Sequence, residues 1–301
     1  MFAPVVLFVY NRSEQLNIVL QNLENNPEVS DTDLYIFSDG PKRTVDEIKV
    51  EAVRKVIDEY KEHSQFKSVT IYKAEKNKGL ANSIIAGVSS VIEKYGKIIV
   101  LEDDLVVSDD FLQYMNAALN YYEKEMRVGA ISAFALPLKN KYLDGMGDLY
   151  KSHTGNSCGW GTWKRVWENV DWNLEQYADF PSDKMARKKF NETQYGIADM
   201  LIAQMDGKID SWAVRWDFHF FEKHLYTIYP YKSKIQNIGF GDEGTHSKNE
   251  SDFRSSVKAE SQKIIFKEFE SLKDLTRLTS LCFKPSLKDK LEDFLKRRKC
   301  N

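Results

Sequence analysis

Ile98 to Phe111 reads I-I-V-L-E-D-D-L-V-V-S-D-D-F. The apolar run Ile98 to Leu101 suits a strand buried on both faces. It stops at Glu102, Asp103 and Asp104. Adjacent carboxylates repel one another and are costly to bury without partners, so acids at the end of a core strand call for a cation. Oxygen-rich groups of this kind suit Mg²⁺ or Mn²⁺, which bind one or two carboxylates and complete their shell with substrate phosphates. The competing reading is a loop whose acids only cap the next helix. That fits Ser108, Asp109 and Asp110, which precede the apolar-periodic residues Phe111, Leu112 and Met115. It fits Glu102 to Asp104 less well, because they lie on the strand side.

Upstream of this stretch, apolar runs alternate with helical patterns. Val5 to Tyr10 reads as a buried strand, and Leu16, Val19, Leu20 and Leu23 mark the helix after it. Leu34 to Phe37 is a second strand, ending in the turn signal Ser38-Asp39-Gly40-Pro41. Thr44 to Glu47 forms a capping box for a helix with apolar positions Val45, Ile48, Val53, Val56, Ile57 and Tyr60. Val69 to Tyr72 is a third strand, Asn77-Lys78-Gly79 a turn, and Leu80 to Tyr95 a third helix. Downstream come a helix near Phe111 to Tyr122 and a strand near Val128 to Ala133. This alternation predicts an α/β fold with a mainly parallel, doubly wound sheet flanked by helices.

Ligands of such sheets bind beyond the carboxyl ends of the strands. Those ends carry Asn11-Arg12, Ser38-Asp39, Lys76 to Lys78 and Glu102 to Asp104, all polar or charged, and should meet at one crevice. Y-N-R-S-E follows the first strand where a dinucleotide site would have G-x-G-x-x-G, and no G-x-x-x-x-G-K-[ST] occurs. The remaining reading is a nucleotide crevice that uses a metal for the phosphates. Arg12 can reach a base or phosphate with its planar fork. Asp39 can accept from a uracil N–H or a ribose hydroxyl. A surface arginine and a turn aspartate are the plain alternatives for these two residues.

The 42% hydrophobic content across 301 residues is enough for a large core and argues against disorder. With 43 basic against 45 acidic residues, the net charge of -2 offers no general case for nucleic acid. Three cysteines without C-x-x-C spacing argue against a disulfide scaffold and fit a reducing compartment. Met1 to Tyr10 lacks a basic n-region, and no run approaches the ~18 apolar residues of a membrane span. A cytoplasmic protein is the expectation, working at the inner face of a membrane if it meets lipid-linked substrates. Past Phe134 the alternation breaks into short elements rich in Trp, Tyr and Gly. The expected layout is a nucleotide-sugar-binding half (1–134), an acceptor and catalytic half of the same domain (135–266) and a helical tail (267–301).

Together the strand-end residues resemble the GT-A fold of nucleotide-sugar-dependent glycosyltransferases. The opening V-V-L-F-V-Y-N-R-S-E-Q-L is similar to the start of the large family 2 of these enzymes. V-L-E-D-D-L-V-V-S-D-D-F-L-Q-Y resembles the E-D-D region of the animal N-acetylglucosaminyltransferase I family. The resemblance spans the first half, with scattered blocks in the second. It implies an inverting transfer from a UDP-sugar, UDP-GlcNAc among the candidate donors, with Mn²⁺ or Mg²⁺, to a glycan or lipid-linked acceptor. By position, Arg12 and Asp39 match uridine contacts, Glu102 and Asp103 donor-contacting acids, and Asp104 the direct metal ligand; Lys78 joins the donor-binding candidates. Bacterial surface polysaccharide synthesis is the expected setting.

In the second half, S-C-G-W-G-T-W-K-R-V-W (Ser157 to Trp167) sets Trp160 between two glycines. Trp160 is read as a loop residue lining the sugar pocket. Trp163 and Trp167, four apart, are read as core on a helix capped by Thr162. I-D-S-W-A-V-R-W (Ile209 to Trp216), with Asp217 just after it, holds the candidates for the base that an inverting transfer needs. Asp210 is the first candidate, because it precedes S-W as the family's base aspartate precedes its tryptophan. Asp217 is the second, and a helix cap is the plain alternative for Asp210. The Gly-rich loop N-I-G-F-G-D-E-G-T-H-S (Asn237 to Ser247) suits closure over a donor, with His246 a candidate for the metal or pyrophosphate. Ser286 to Lys299 has Leu287, Leu291, Phe294 and Leu295 on one helical face and a basic end. It is read as an amphipathic helix packed on the domain, or as a peripheral anchor to anionic membrane. Two other function classes stand beside this one. A sugar-phosphate nucleotidyltransferase would want a G-G-x-G-T-R-like loop after strand one. A non-catalytic carbohydrate-binding module would leave the clustered acids without a task.

Overall fold

The computed structural model describes residues 2–136, 138, 147–239 and 264–284. The first half alternates as its pattern predicts. Strand β1 (Val5–Val9) leads to α1 (Ser13–Glu24), β2 (Asp33–Ser38) to α2 (Glu47–His63), β3 (Ser68–Lys73) to α3 (Leu80–Tyr95), and β4 (Lys97–Glu102) to the short β5 (Leu105–Val107) and α4 (Phe111–Tyr121). Then follow β6 (Val128–Ser132), β7 (Leu149–Ser152), β8 (Trp160–Trp163), α5 (Lys164–Trp167), α6 (Lys184–Thr193), α7 (Ile197–Met205), α8 (Trp212–Glu222), β9 (Tyr226–Pro230), β10 (Ile235–Asn237) and α9 (Thr276–Cys282).

Eight strands form one sheet in the order β3-β2-β1-β4-β8-β6-β9-β7. Neighbours run parallel from β3 through β2 and β1 to β4, and again between β6 and β9. Strands β8 and β7 are antiparallel to theirs. Every residue of β1 is buried, as are Ile98 to Leu101 of β4, because helices cover both faces of the sheet there. A separate ribbon pairs β5 with β10, Leu105 opposite Asn237 and Val107 opposite Ile235.

Three local readings change. Helix α2 starts at Glu47, after a 3₁₀ turn over Thr44–Asp46, and Asp46 rather than Glu47 closes the box by accepting the Arg43 N–H. That turn shifts the helical phase, so Val45 and Ile48 face solvent while Val50, Val53 and Ile57 are buried. Trp160 and Trp163 lie on strand β8, not in a loop and on a helix. Thr162, in the same strand, donates its hydroxyl to the Gly129 carbonyl instead of capping a helix. His246 and the Ser286–Lys299 tail lie outside the described residues. No helix of the described residues is long and apolar enough to cross a membrane.

Candidate nucleotide-sugar site

Strand register sets the direction of the acids. Phe8 of β1 stands opposite Glu102, Phe37 of β2 opposite Phe8, and Tyr72 of β3 opposite Phe37. Residues in one such rank point to the same face. Glu102 therefore ends a stack of aromatic rings, Phe8 on Phe37 at 5.5 Å and Phe37 on Tyr72 at 4.8 Å between centroids. Gly87 of α3 admits the stack, since a Cβ there would lie 2.7 Å from the Phe8 ring. Burial, reinforced by the charges of Asp104 and Asp103, pushes the Glu102 carboxyl up to about 8, with Arg12 pulling the other way.

Asp103 and Asp104 turn out of the strand toward the end of β1. The Tyr10 N–H donates to Asp103 at 3.0 Å. Arg12 pairs with Asp104 at 2.7 Å and stands 3.7 Å from Asp103. Burial and the neighbouring Asp104 push Asp103 up to about 7, against the attraction of Arg12. One guanidinium thus faces three acids, and two of them are held near neutrality. From the other side the β5/β10 ribbon brings Gly239 onto Asp104. The Ile238 N–H donates to the Asp104 carbonyl at 2.8 Å, and a Cβ on Gly239 would lie 2.1 Å from Asp104 Oδ2. A side chain there would have to push the Asp104 carboxylate aside.

These donors fit a divalent cation in kind. They are hard oxygens, and a bound cation would offset the burial and mutual repulsion that raise Glu102 and Asp103. Among the described residues no cluster of three ligating side chains is already assembled. A metal held by one or two carboxylates and substrate phosphates needs no such cluster.

Asp39 sits at the end of β2 and is bound entirely by its own chain. Its carboxylate accepts from the N–H groups of Gly40, Lys78 and Gly79 and from Asn77 Nδ2. Lys78 itself is exposed on that turn. Asp210 precedes α8 and is 58% exposed, paired with Arg215 at 3.1 Å. Ser211, not Asp210, caps the helix by accepting the Val214 N–H. Asp210 reaches the Asn77–Gly79 turn, its Oδ2 lying 3.7 Å from where a Gly79 Cβ would be.

Asp217 lies lower on α8. This helix covers the face of the sheet to which Glu102 points. Val100, two residues before Glu102, pairs with Trp160, and Trp160 packs on Trp212 and Trp216 of α8. Burial pushes the Asp217 carboxyl up to about 8, only partly offset by the Gly155 N–H. Its Oδ1 is buried without a hydrogen-bond partner among the described residues. Between Asp217 and the triplet lie Tyr229, whose hydroxyl meets Thr154 at 2.8 Å, and Cys158, whose thiol is pushed up to about 12 by burial and by Glu102 and Asp104.

Trp160 offers no ring face to a sugar. It is 1% exposed and stacks against Trp167 at 5.6 Å and Trp212 at 5.4 Å. The small Gly159 and Gly161 that suggested a loop serve instead to let Ile235 and the β4 backbone come close. Sequence reading missed Tyr10, Gly239 and the buried pair Lys234–Asp110 beside the ribbon. Gly239 left a trace as one of several glycines in its segment, and Asp110 only as a helix-cap candidate, though its side chain makes no cap bond. A cavity of about 480 Å³ lies at the opposite end of the sheet, between α6, α9 and the start of β9, and contains none of these acids.

Parallel strands that end in Arg12, Asp39 and three consecutive acids, on a mixed α/β sheet covered by helices, suit a GT-A-like nucleotide-sugar glycosyltransferase, the class to which the family match assigns the chain. Within that class the chain belongs to the GNT-I family, whose sequence model matches residues 1–253. No curated protein matches it. Among solved structures it is similar to S. aureus TarS 1-349, with 10% identity and a TM-score of 0.33 over 44% of this chain and 35% of that one. It is also similar to the mannosyltransferase PcManGT from Pyrobaculum calidifontis in complex with GDP-Man and Mn²⁺, at 15% identity and a TM-score of 0.38 over 61% of this chain and 49% of that one. The galactosyltransferase LgtC, in complex with donor and acceptor sugar analogs, gives 10% identity and a TM-score of 0.38 over 75% and 72%. The chain thus spans about a third of TarS 1-349 and about half of PcManGT.

Proposed function

We propose that the protein transfers a sugar from a UDP-sugar to a hydroxyl of a glycan or lipid-linked acceptor, with inversion at the anomeric carbon. UDP-GlcNAc is the first donor to test, because the family resemblance points to it. The observation that carries the reading is the three-acid end of β4, set beside Arg12 at the carboxyl ends of parallel strands. Asp104, with Asp103 behind it, would hold Mn²⁺ or Mg²⁺, which when bound neutralises charge on the departing diphosphate. Arg12 and Lys78 supply further positive charge on the same rim.

Asp217 is the better base of the two aspartates. A general base works best with a pKa near the operating pH, and Asp217 is held at about 8. Asp210 is solvated and already paired with Arg215. In the reaction the acceptor oxygen attacks the anomeric carbon as the bond from that carbon to the diphosphate oxygen breaks. The hydroxyl proton passes to the Asp217 carboxylate, and the electron pair leaves with the nucleoside diphosphate. The oxocarbenium character of such a step is favoured by a site lined with carboxylates.

Calorimetric titration of UDP with and without Mn²⁺ tests the donor half. Metal-dependent binding that disappears in Asp104→Ala is the expected result. Absence of UDP binding in either condition, or full binding by Asp104→Ala, overturns the assignment.

A further inference from the structure

Strand β8 is antiparallel to both β4 and β6, and β9 is parallel to β6, so β9 runs with β4. The cavity at the start of β9 therefore lies on the amino edge of the sheet, away from Arg12 and the acid triplet. Its volume of about 480 Å³ falls within the roughly 300–1,000 Å³ of small-molecule sites. Rings make up part of its lining. His153 stacks on Tyr226 at 5.1 Å and stands 6.0 Å from His224 and 6.4 Å from Phe221 between centroids. His153 Nε2 donates to the Phe220 carbonyl at 2.9 Å, which leaves Nδ1 as the acceptor of the neutral ring. Burial lowers the pKa of His153 and favours that neutral form. Asp274 is tied to the same ring through Thr276. It accepts the Thr276 N–H at 2.9 Å and hydroxyl at 2.6 Å, and Thr276 Oγ1 accepts the His153 N–H at 2.9 Å.

Two cations also line the cavity, Lys189 of α6 and Arg277 of α9, and neither has an ion-pair partner among the described residues. Glu192, one turn after Lys189, lines it as well. This combination selects a ligand class. A small inorganic anion would suit the cations but meet the charges of Glu192 and Asp274. A neutral sugar would use the rings and carboxylates and leave both cations idle. A sugar that carries its own carboxylate uses every group.

We propose that this cavity is a second saccharide site, specific for a sugar unit bearing a carboxylate. The Arg277 fork and the Lys189 ammonium receive that carboxylate. Glu192, Asp274 and His153 Nδ1 accept from ring hydroxyls, and the aromatic side covers the apolar C–H face. Because it lies on the far edge of the sheet, the site can be filled while the transfer site holds a donor.

Ligand-observed NMR titration of the whole chain with glucuronate, galacturonate and N-acetylneuraminate tests this, with glucose and inorganic phosphate as comparators. At least one acidic sugar should bind, and both comparators should bind it at least about tenfold more weakly, since each lacks one half of the recognition. Arg277→Gln should weaken the acidic sugar by about tenfold, the loss of a charge-assisted hydrogen bond, and Lys189→Gln by a smaller factor. Both side chains are exposed, so both variants should fold. UDP with Mn²⁺ should leave the bound sugar in place. Binding of none of the three acidic sugars, equal binding of glucose or phosphate, unchanged affinity in both variants, or displacement by UDP overturns the proposal.

Discussion

Removing the Lys234 ammonium should cost more than most single changes to this chain. Lys234 pairs with Asp110 at 2.5 Å, and their side chains are 7% and 10% exposed. Asp110 also accepts the Ser108 hydroxyl at 2.7 Å. The backbone around the pair is tied in as well, Ser108 N–H to the Lys234 carbonyl at 2.9 Å and Lys234 N–H to the Ala133 carbonyl at 2.7 Å. In Lys234→Met the apolar stem is kept and the charge is lost, so Asp110 remains buried with only a hydroxyl partner. Breaking one side of a buried ion pair costs about 3–5 kcal/mol, and the retained Ser108 bond favours the lower end. At about 2–4 °C per kcal/mol for a chain of this size, Tm should fall by roughly 10 °C. Asp110→Asn with Lys234→Met removes both charges and should recover most of the loss, because a neutral amide still accepts from Ser108. Differential scanning calorimetry of the two single variants, the double variant and the parent gives the coupling energy directly. A Tm for Lys234→Met within about 2 °C of the parent would refute the reasoning, since it would mean that the pair is solvated and near the modest worth of a surface bridge. Strand β10 begins next to Lys234 and carries Gly239 to Asp104, so the same variant should weaken metal-dependent UDP binding.

Other outcomes follow from the site and the core. Asp217→Asn should lower kcat by about 10²–10⁴-fold, the usual range for a general base, while Asp210→Asn should lower it far less; the reverse order would return the base to Asp210. Because Asp217 is held at about 8, the rate should climb with pH through that value as the base loses its proton. The sign for stability is opposite: the raised pKa favours the protonated folded form. Stability should therefore decline as pH rises from the ordinary aspartate range toward about 8, and Asp217→Asn should remove that part of the decline in pH-dependent melting. Trp160→Ala should destabilise by about 3–5 kcal/mol by opening a cavity among stacked indoles, measured by urea unfolding; near-native stability with lost sugar affinity would mean that the ring faces the pocket after all.

The parallel half of the sheet was legible in sequence because β1, β2 and β4 are built on short apolar runs between helical patterns. Runs such as Val5–Val9 and Ile98–Leu101 are buried on both faces and carry no alternation to misread. The acids after Leu101 were legible for a related reason, since charge at the end of such a run is costly unless it serves a site. Trp160 was misread because glycine on either side suggests a turn. In the fold Gly161 instead lets β8 lie against β4, where a Cβ would sit 2.9 Å from the Ile98 carbonyl oxygen. That spacing depends on a strand more than fifty residues away in the chain, which no local pattern records.

By itself the sequence determined the alternation of strands and helices, the positions of the strand ends, and the clustering of Arg12, Asp39 and Glu102 to Asp104 at one edge. These follow from local burial and charge, quantities set by neighbours in the chain. Tertiary structure alone decided what each polar group meets. Asp39 accepts from the Asn77–Gly79 turn, Asp104 lies between Arg12 and Gly239, and Asp217 is raised by burial on α8 while Asp210 stays in water. A carboxylate's proton affinity and its free acceptor positions depend on dielectric and on donors brought from distant segments, and those exist only once the sheet has assembled.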